Sequence, residues 1–585
     1  MNTFKILSLY LQFFLYEFYN FLLNIKKVFK FGVINYIKFS ILKQDIEFEN
    51  NYINDYLKKN IKKWEKCIKV NKKNFNQNKK VIITGFVHIP IYYMMNALFG
   101  KFLEEKFNSN VFCLLEKNDC LGYSIFKSFN FKNFIFLDKG NFFKRILSFT
   151  KSVKIILSYD TIEGFLKFKK DKVYFGKIVY DHYLRHTGNC TTDIKNFKIF
   201  YLLTEALIIH SQLKKKIDKR GFKFGVQSEH QFIPSAICFQ NFLNNNIKIF
   251  SRNKGPKWIT ISSFKGHKDI YTPRDKIDFT IFKSIKKKYH NKVSKLGSKI
   301  IKNRFLGKDD FSLKSWGIKI NNSKDLTLIN FKKIYNLNNN NPIVCIFGHL
   351  FVDGNYSNGW RVHKDNLTWL ISTLKIIKDI KNINWIIKPH PLEERYKTST
   401  STLKEVSKYT RSFKHIKFAD RRITNNFLKK NLFAVVSSHG TAPLEFASFG
   451  VPSIVCGNTR YSKLGFLNTA RNHKEYKYLL ENIKDIKKLT KNEILKANIF
   501  TYLAGRLVIV DSEVIPDVIS GQSKLNDYDS NFFWKTAINK INEYDYYSSN
   551  LRNQFNNQID KEQKNILNDE ILYKDLSLKL SDFFK

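Results

Sequence analysis

The 585-residue chain is short of proline, with 10, and of glycine, with 24. That excludes a collagen-like or linker-dominated architecture. Cysteine is scarce too: seven residues, at positions 67, 113, 120, 190, 238, 345 and 456, with no C-x-x-C pair. An odd number without paired spacing argues against a disulfide framework and a structural zinc site, and fits a reducing compartment. Acidic residues number 50 against 100 basic ones, a formal charge of +50. Such a balance suits a nucleic acid or a membrane surface as partner. The basic residues are spread along the whole chain, however, and Lys, Asn, Ile and Phe dominate together, the usage a translated AT-rich genome gives. The charge is therefore read as compositional. No nucleic-acid partner is expected, while attraction to anionic lipid or to a phosphate-bearing substrate is retained.

What the chain has in plenty is core material. Hydrophobic residues make up 43% and aromatics 16%, with 55 Phe and 29 Tyr, which excludes a disordered chain. The length exceeds what one core supports, so two domains of Rossmann size are expected. Short apolar runs at 81–85, 111–115, 134–137, 154–157, 177–180, 206–210 and 247–250 read as buried strands separated by helix-length segments. That alternation predicts a parallel sheet covered on both faces. Residues 71–80 read as a polar linker, and NLNNNN at 336–341, ahead of Pro342, marks the main internal boundary. Beyond it the rhythm restarts at 343–347, 385–388, 416–418, 433–437 and 452–456. The expected fold class is α/β, two Rossmann-like domains facing a cleft. An N-terminal segment over 1–70 would precede a first domain over 78–335, a second over 342–510 and a helical extension over 511–585. The basic stretch 283–304 reads as a solvated helix near the cleft.

The N-terminus has no small-residue cleavage site after its apolar run, so a removed secretory signal is not expected. Leu7, Leu11, Phe14, Phe18, Leu22 and Ile25 form one stripe at ~100° per residue, and Gln12, Glu17, Asn20 and Asn24 share the opposite half. A central acid such as Glu17 costs a spanning helix roughly 2.5–3.5 kcal/mol. Lys26, Lys27 and Lys30 follow directly. Two placements fit these facts: an in-plane helix on an anionic leaflet, or a helix packed on the domain itself.

Chemistry-bearing residues concentrate in the second half. Ile386-Ile-Lys-Pro-His-Pro391 puts Lys388 and His390 at a strand end that two prolines fix. A cation and an imidazole there suit a diphosphate or a departing phosphate. Ala434-Val-Val-Ser-Ser-His-Gly-Thr441 is a strand ending in Ser438, His439, Gly440 and Thr441, and a helix opens directly afterwards. Free N–H groups and hydroxyls at such a turn form an anion site. Glu445, one turn inside that helix, would repel phosphate and is better placed to accept hydrogen bonds from ribose hydroxyls. The plainer alternative is an ordinary β–α turn beside a common His-Pro loop.

Taken together, KPHP and the later SSHGTAPLEFASFGVPSIV resemble the donor-binding half of GT-B glycosyltransferases of bacterial surface polysaccharides. Within these they are similar to the capsule polysaccharide biosynthesis proteins, a group that includes the Kdo-transferring capsule enzymes. Gly348-His-Leu-Phe-Val-Asp353, Asn384-Trp385, Tyr461-Ser-Lys-Leu-Gly-Phe466 with Glu475-Tyr476, and Tyr180-Asp-His-Tyr-Leu-Arg185 are similar to that group as well. The resemblance covers 340–485 well and 170–260 thinly. It implies transfer of a sugar from a nucleotide-activated donor, without metal or other cofactor, to a growing surface polysaccharide or its lipid-linked acceptor. The nucleotide would bind the second domain, with Lys388, His390 and the Ser438–Thr441 turn neutralising the leaving phosphate. The general base would come from the first domain, with Asp181 at a strand end as first choice and His88 and Glu229 in reserve. Arg185 would hold an acceptor phosphate or carboxylate. The resemblance also implies a cytoplasmic enzyme, peripheral on the inner face of the cell membrane. Asp527-Tyr-Asp529 and Glu543-Tyr-Asp545 look like the acidic metal motif of the other glycosyltransferase fold, but neither follows a core strand, so both read as solvated acids. The rivals are a CDP-glycerol-type glycerophosphotransferase, a non-hydrolysing UDP-sugar epimerase, and a non-enzymatic polyanion- or membrane-binding protein.

Overall fold

The computed structural model describes residues 3–31, 46–68, 79–218, 220–255, 257–273, 276–308, 327–356, 359–419, 423–516 and 530–585. The first sheet is built from β1 (Lys80–Gly85), β2 (Asn110–Glu116), β3 (Asn133–Leu137), β4 (Phe222–Val226), β5 (Lys248–Lys254) and β6 (Trp258–Phe264). The second comprises β7 (Ile343–Phe347), β8 (Asn384–Lys388), β9 (Ile416–Phe418), β10 (Leu432–Ser437), β11 (Ser453–Val455) and β12 (Leu467–Thr469). A last strand, β13 (Val510–Asp511), returns to the first sheet. The orders are β13-β6-β5-β4-β1-β2-β3 and β12-β11-β10-β7-β8-β9. Every pairing in the second sheet is parallel. Read from β9, its order is the 3-2-1-4-5-6 of a Rossmann domain, which puts its topological switch point between β7 and β10. The first sheet repeats that order through β5, and its switch point lies between β1 and β4. Helices cover both faces, so the central strands are buried on both sides and read as continuous apolar runs.

Three expected strands are helical. Residues 154–157, 177–180 and 206–210 lie within the helices Phe142–Leu157, Phe175–Thr187 and Phe197–Lys216. Short apolar runs fit a buried helix as well as a strand. The third helix buries Ile199, Tyr201, Leu203, Thr204, Ile208 and Leu213 around much of its circumference, so its helical period is weak. β4 escaped the same reading because exposed Lys223 and Gly225 interrupt it. The basic stretch 283–304 is solvated on one side only: Lys292, Lys295, Lys299 and Lys302 are exposed, while the helix His290–Phe305 buries Val293, Gly297, Ile301 and Phe305. A Cβ on Gly297 would stand 1.9 Å from the Asn498 carbonyl oxygen, so only glycine allows this helix its contact with Lys491–Tyr502.

The asparagine-rich boundary is a fixed turn, since the Asn384 amide donates to the carbonyls of Asn338 (2.8 Å) and Asn341 (3.0 Å). Residues 530–585, largely helical, pack on the first domain. Beyond the β13 pairing with β6, the Ser263 N–H donates to the Lys564 carbonyl (2.7 Å) and the Ile566 N–H to the Ile261 carbonyl (3.0 Å). Trp534 packs edge-on against Tyr56 at 5.4 Å, and Phe555 lies 4.9 Å from Phe99. In the acidic Glu543-Tyr-Asp545 stretch, Tyr544 is buried while the Glu543 side chain stays in solvent. Asp527 and Asp529 lie outside the described residues.

The N-terminal helix Thr3–Phe31 docks on Phe142–Leu157 and Phe197–Lys216. By length and composition its segment Phe4–Lys26 is long and apolar enough to cross a membrane.

Because Trp534 is fully buried in the first domain's core, Trp534→Ala is expected to cost about 3–5 kcal/mol. Urea denaturation would read this as a lower midpoint of the main transition. A tail folding apart from the domain would leave that transition unmoved.

Candidate functional site

The carboxyl ends of β7, β8 and β10 meet at the second domain's switch point, and each brings a histidine: His349, His390 and His439. The rings of His349 and His439 stack at 4.0 Å, and His390 lies 5.8 Å from His349. Asn366, first residue of the helix Asn366–Ile377, orders this group. Its Nδ2 donates to the Leu350 carbonyl (2.7 Å) and to His349 Nδ1 (3.1 Å). Its Oδ1 accepts from the Ser438 hydroxyl (3.1 Å) and from the Arg361 guanidinium. Arg361 also donates to His439 Nδ1 (3.1 Å) and to the Asn355 side-chain and main-chain oxygens (2.8 and 3.0 Å). His390 Nδ1 accepts from the Leu392 N–H (3.1 Å).

These bonds fix two of the tautomers: Nδ1 of His439 and of His390 faces an N–H donor, so a neutral ring there carries its proton on Nε2. His349 Nδ1 lies near both the Asn366 amide (3.1 Å) and the Leu350 carbonyl (3.3 Å), so either of its nitrogens can hold the proton. Burial pushes the His349 imidazole down to about 3 and His439 well below its ordinary value, with neighbouring cationic groups adding to both. Both rings are therefore neutral donors at physiological pH. The fixed charge comes from Arg361, whose pKa burial lowers without discharging a guanidinium. Among the described residues no carboxylate lies within ion-pair distance of it. An arginine so placed, beside several N–H donors, has the chemistry that suits an oxyanion.

The turn after β10 is shaped by Gly440 at φ +114°, where a side chain would be strained. The helix that follows, Ala442–Ala447, has only six residues, so Arg361 rather than a helix dipole supplies most of the positive field. Thr441 stands half-buried at its start, and its side chain caps nothing.

Two expected donor residues are engaged elsewhere. The Lys388 ammonium bonds the Ile423 carbonyl and Asn425 Oδ1 (3.0 Å), on the face of β8 that packs Ile386 and Leu428. Side chains alternate along a strand, which sends Lys388 to that face. Glu445 accepts from Arg304 at 2.8 Å, a partner contributed by the helix that links the domains.

In the first domain, Asp181 is not at a strand end. It lies mid-helix in Phe175–Thr187, buried, with its two oxygens accepting the N–H groups of Asn355 and Tyr356, each at 2.9 Å. Burial raises it to about 7, against the opposing pull of those N–H groups. Its neighbour Tyr180 donates to Asp365 at 2.6 Å. Together they tie the two domains. Arg185 sits at the same boundary, its guanidinium 4.5 Å from the Tyr396 ring centre and 4.0 Å from Asp353. His88, after β1, is raised to about 10 by hydrogen bonding to Asp119 and Glu116, so it is a cation at neutral pH and has no free lone pair for a proton. Glu229, after β4, is half-exposed at the first domain's switch point, one oxygen accepting the N–H groups of His230 and Gln231 at 2.8 Å each. Gln231 in turn abuts Gly354 of the second domain.

A cavity of about 150 Å³ opens between the domains, lined by Lys177, Asp181, Gln231, Phe232, Tyr271 and Tyr356 among others. The Lys177 ammonium lies over the rings of Tyr271 (4.6 Å) and Tyr356 (5.3 Å), and the Tyr271 hydroxyl is buried with no hydrogen-bond partner among the described residues. His349, Arg361 and Asn366 escaped the sequence reading. Gly348-His349 stood in a noted stretch, but Arg361 joins the site only because its loop doubles back in space. Among the described residues no group of three or more His, Cys, Asp or Glu side chains is placed to hold a metal ion.

The fold is that of the GT-B class: two Rossmann-like domains with a cleft between their strand ends. No family model matches the chain, and no curated protein sequence does. Among solved structures it is similar to Thermosulfurimonas dismutans KpsC, beta Kdo 2,4 transferase, with 10% identity over 48% of this chain and 79% of that one, TM-score 0.28. It is also similar to a Rickettsia africae glycosyltransferase (10% identity, 74% and 94% covered, TM-score 0.27) and to S. aureus MnaA in co-structure with UDP (12%, 73% and 91%, TM-score 0.21). Likeness this slight adds nothing about function.

The raised Asp181 pKa gives a pH test of the domain contact. A group raised from 3.8 to about 7 contributes stability that is full below its ordinary pKa and lost as pH rises through about 7. Asp181→Asn stays neutral throughout. The wild type is expected to lose Tm relative to this variant as pH climbs through that window. A constant difference would contradict the raised pKa.

Proposed function

We propose that this protein transfers a sugar from a nucleotide-activated donor to a surface-polysaccharide or glycolipid acceptor, without a metal ion. The observation that carries the reading is the Arg361 guanidinium. It has no carboxylate counter-ion among the described residues and sits with His349, His390 and His439 at a Rossmann switch point, the place where such sheets bind nucleotides. Donors held rigid before the reaction stabilise charge that develops during it.

In the reaction the bond from the anomeric carbon to the phosphate oxygen breaks, and that oxygen leaves with the electron pair. Arg361 and the Nε2–H groups would receive it. Ser438 and Asn366 would act through these groups, as positioning residues. The acceptor hydroxyl forms the new bond and gives up its proton to a base. Glu229 fits that role better than Asp181 or His88: Asp181 is buried with each of its oxygens bound to an N–H group of the other domain, His88 is already protonated, and Glu229 is half-exposed with both of its backbone N–H bonds on one oxygen. The cavity beside Lys177 and Tyr271 would take the acceptor. We also propose a cytoplasmic location, in keeping with seven free cysteines.

Calorimetry with CMP-, UDP-, GDP- and CDP-sugars tests the donor site. Arg361→Ala is expected to weaken nucleotide affinity by about 10–100-fold, the worth of hydrogen bonds to a charged group. Affinity should hold from pH 5.5 to 8, because His349 and His439 are neutral throughout. Wild-type affinity in the variant, or a steep loss near pH 6.5, would refute the assignment. Transfer should survive EDTA.

Glu229→Gln is expected to lower kcat by roughly 10²–10⁴-fold while nucleotide Kd stays unchanged. Normal turnover in this variant would move the base elsewhere and leave the donor site standing.

A further inference from the structure

The helix Thr3–Phe31 docks by a side that mixes apolar and polar residues and turns a long apolar stripe to solvent. Inward, Leu9 and Phe13 are buried, Phe13 stacking on Phe149 at 4.3 Å. Glu17 meets Arg145 through two bonds of 2.6 and 2.8 Å, and Arg145 also donates to Tyr201 (2.6 Å) and to the Lys139 carbonyl (3.0 Å). Asn20 donates to Tyr201 at 3.0 Å, and Tyr10 to Thr150 at 2.9 Å. Outward, Phe4, Leu7, Leu11, Leu15, Phe18 and Phe29 are exposed, Leu11 by 60% and Phe29 by 72%. At 1.5 Å per residue this stripe runs for about 38 Å. The domain extends it: Phe143 is 76% and Leu147 63% exposed on the adjacent helix, and Phe142 lies 6.0 Å from Phe14. An apolar surface of this extent does not stand in water without a partner.

Charge names the partner. Lys5, Lys26, Lys144, Lys151 and Lys154 are exposed on the same two helices, whose sequences contain one acid, Glu17, already neutralised by Arg145. A second copy would bring the same lysines against these, in a chain of net charge +50. An anionic bilayer offers hydrocarbon for the stripe and counter-charge for its border. Spanning the bilayer would instead detach Glu17 and Asn20 from buried partners and place an acid in hydrocarbon.

We propose that the stripe of Thr3–Phe31 and the patch Phe142–Phe143–Leu147 form one surface that lies on an anionic membrane, with the helix in the membrane plane and the first domain held flat against it. This is independent of the chemistry at the donor site.

The test is flotation of the full chain with vesicles of phosphatidylcholine plus phosphatidylglycerol, against pure phosphatidylcholine. Binding is expected to the anionic vesicles, to reverse in high salt, and to fall at least tenfold in the Leu7→Ser/Leu11→Ser/Phe18→Ser variant. The Phe143→Asp/Leu147→Asp variant alters only exposed positions of the folded domain. It should lose about tenfold or more while its nucleotide affinity and Tm stay unchanged. Release by detergent alone would mean that the helix spans. Undiminished binding of Phe143→Asp/Leu147→Asp would mean that the domain does not touch lipid. Absence of binding, equal binding to neutral vesicles, or reversible dimerisation abolished by the same substitutions would each overturn the proposal.

Discussion

The arrangement of the two domains depends on one buried carboxylate. Asp181 accepts the N–H groups of Asn355 and Tyr356, and Asn355 passes that constraint on. Its carbonyl and side-chain oxygens receive the Arg361 guanidinium, and Arg361 meets His439. The loop leaving β7 is thus pinned at one end by Asp181 and at the other by Tyr180 on Asp365, consecutive residues of a single first-domain helix. Each bond has a net worth of only about 1 kcal/mol. Their effect is geometric: the docked helix Phe175–Thr187 fixes Asn355 against Arg361, which backbone bonds from Val362 to Cys456 (2.9 Å) and from Asn458 to Trp360 (3.1 Å) hold beside the histidines.

That dependence explains the site's electrostatics. Several imidazolium ions packed together would repel one another and the guanidinium, each with a desolvation cost. The structure places one permanent cation among neutral rings instead. Arg361 sets the sign of the field, and the Nε2–H groups add direction without adding charge. Binding an anion there forms strong charge-assisted bonds without a proton being taken up first.

The second domain was the more legible half in sequence. Its strands are central, buried on both faces and bounded by Gly, Pro or Asn, so their apolar runs stand out, and the carboxyl-end position of His390 and of Ser438 to Thr441 followed from them. The first domain misled because buried helices carry apolar runs of the same length. Placing 177–180 in a strand turned Asp181 from a domain tie into an apparent base. Lys388 went wrong through side-chain alternation, which a motif does not display. Arg361 was beyond reach, since its partners at 355, 366 and 439 come together only through tertiary folding. In the N-terminal segment the division into apolar and polar faces held in part: Glu17 and Asn20 turn inward, but so do Leu9 and Phe13, and Gln12 and Asn24 are exposed. The Glu17–Arg145 pair and the Phe13–Phe149 stack make that mixed side the adhesive one, which leaves a long apolar stripe outside.

That docking has a consequence for the cleft. The helix Phe142–Leu157 leaves the carboxyl end of β3, so its first turn, with Phe142 and Phe143, stands at the edge of the sheet that lines the cleft. Arg145, one turn on, grips both Glu17 and the Lys139 carbonyl in the loop after β3. The apolar surface and the strand ends are therefore joined by about one turn of helix and a short loop, too little chain for independent movement.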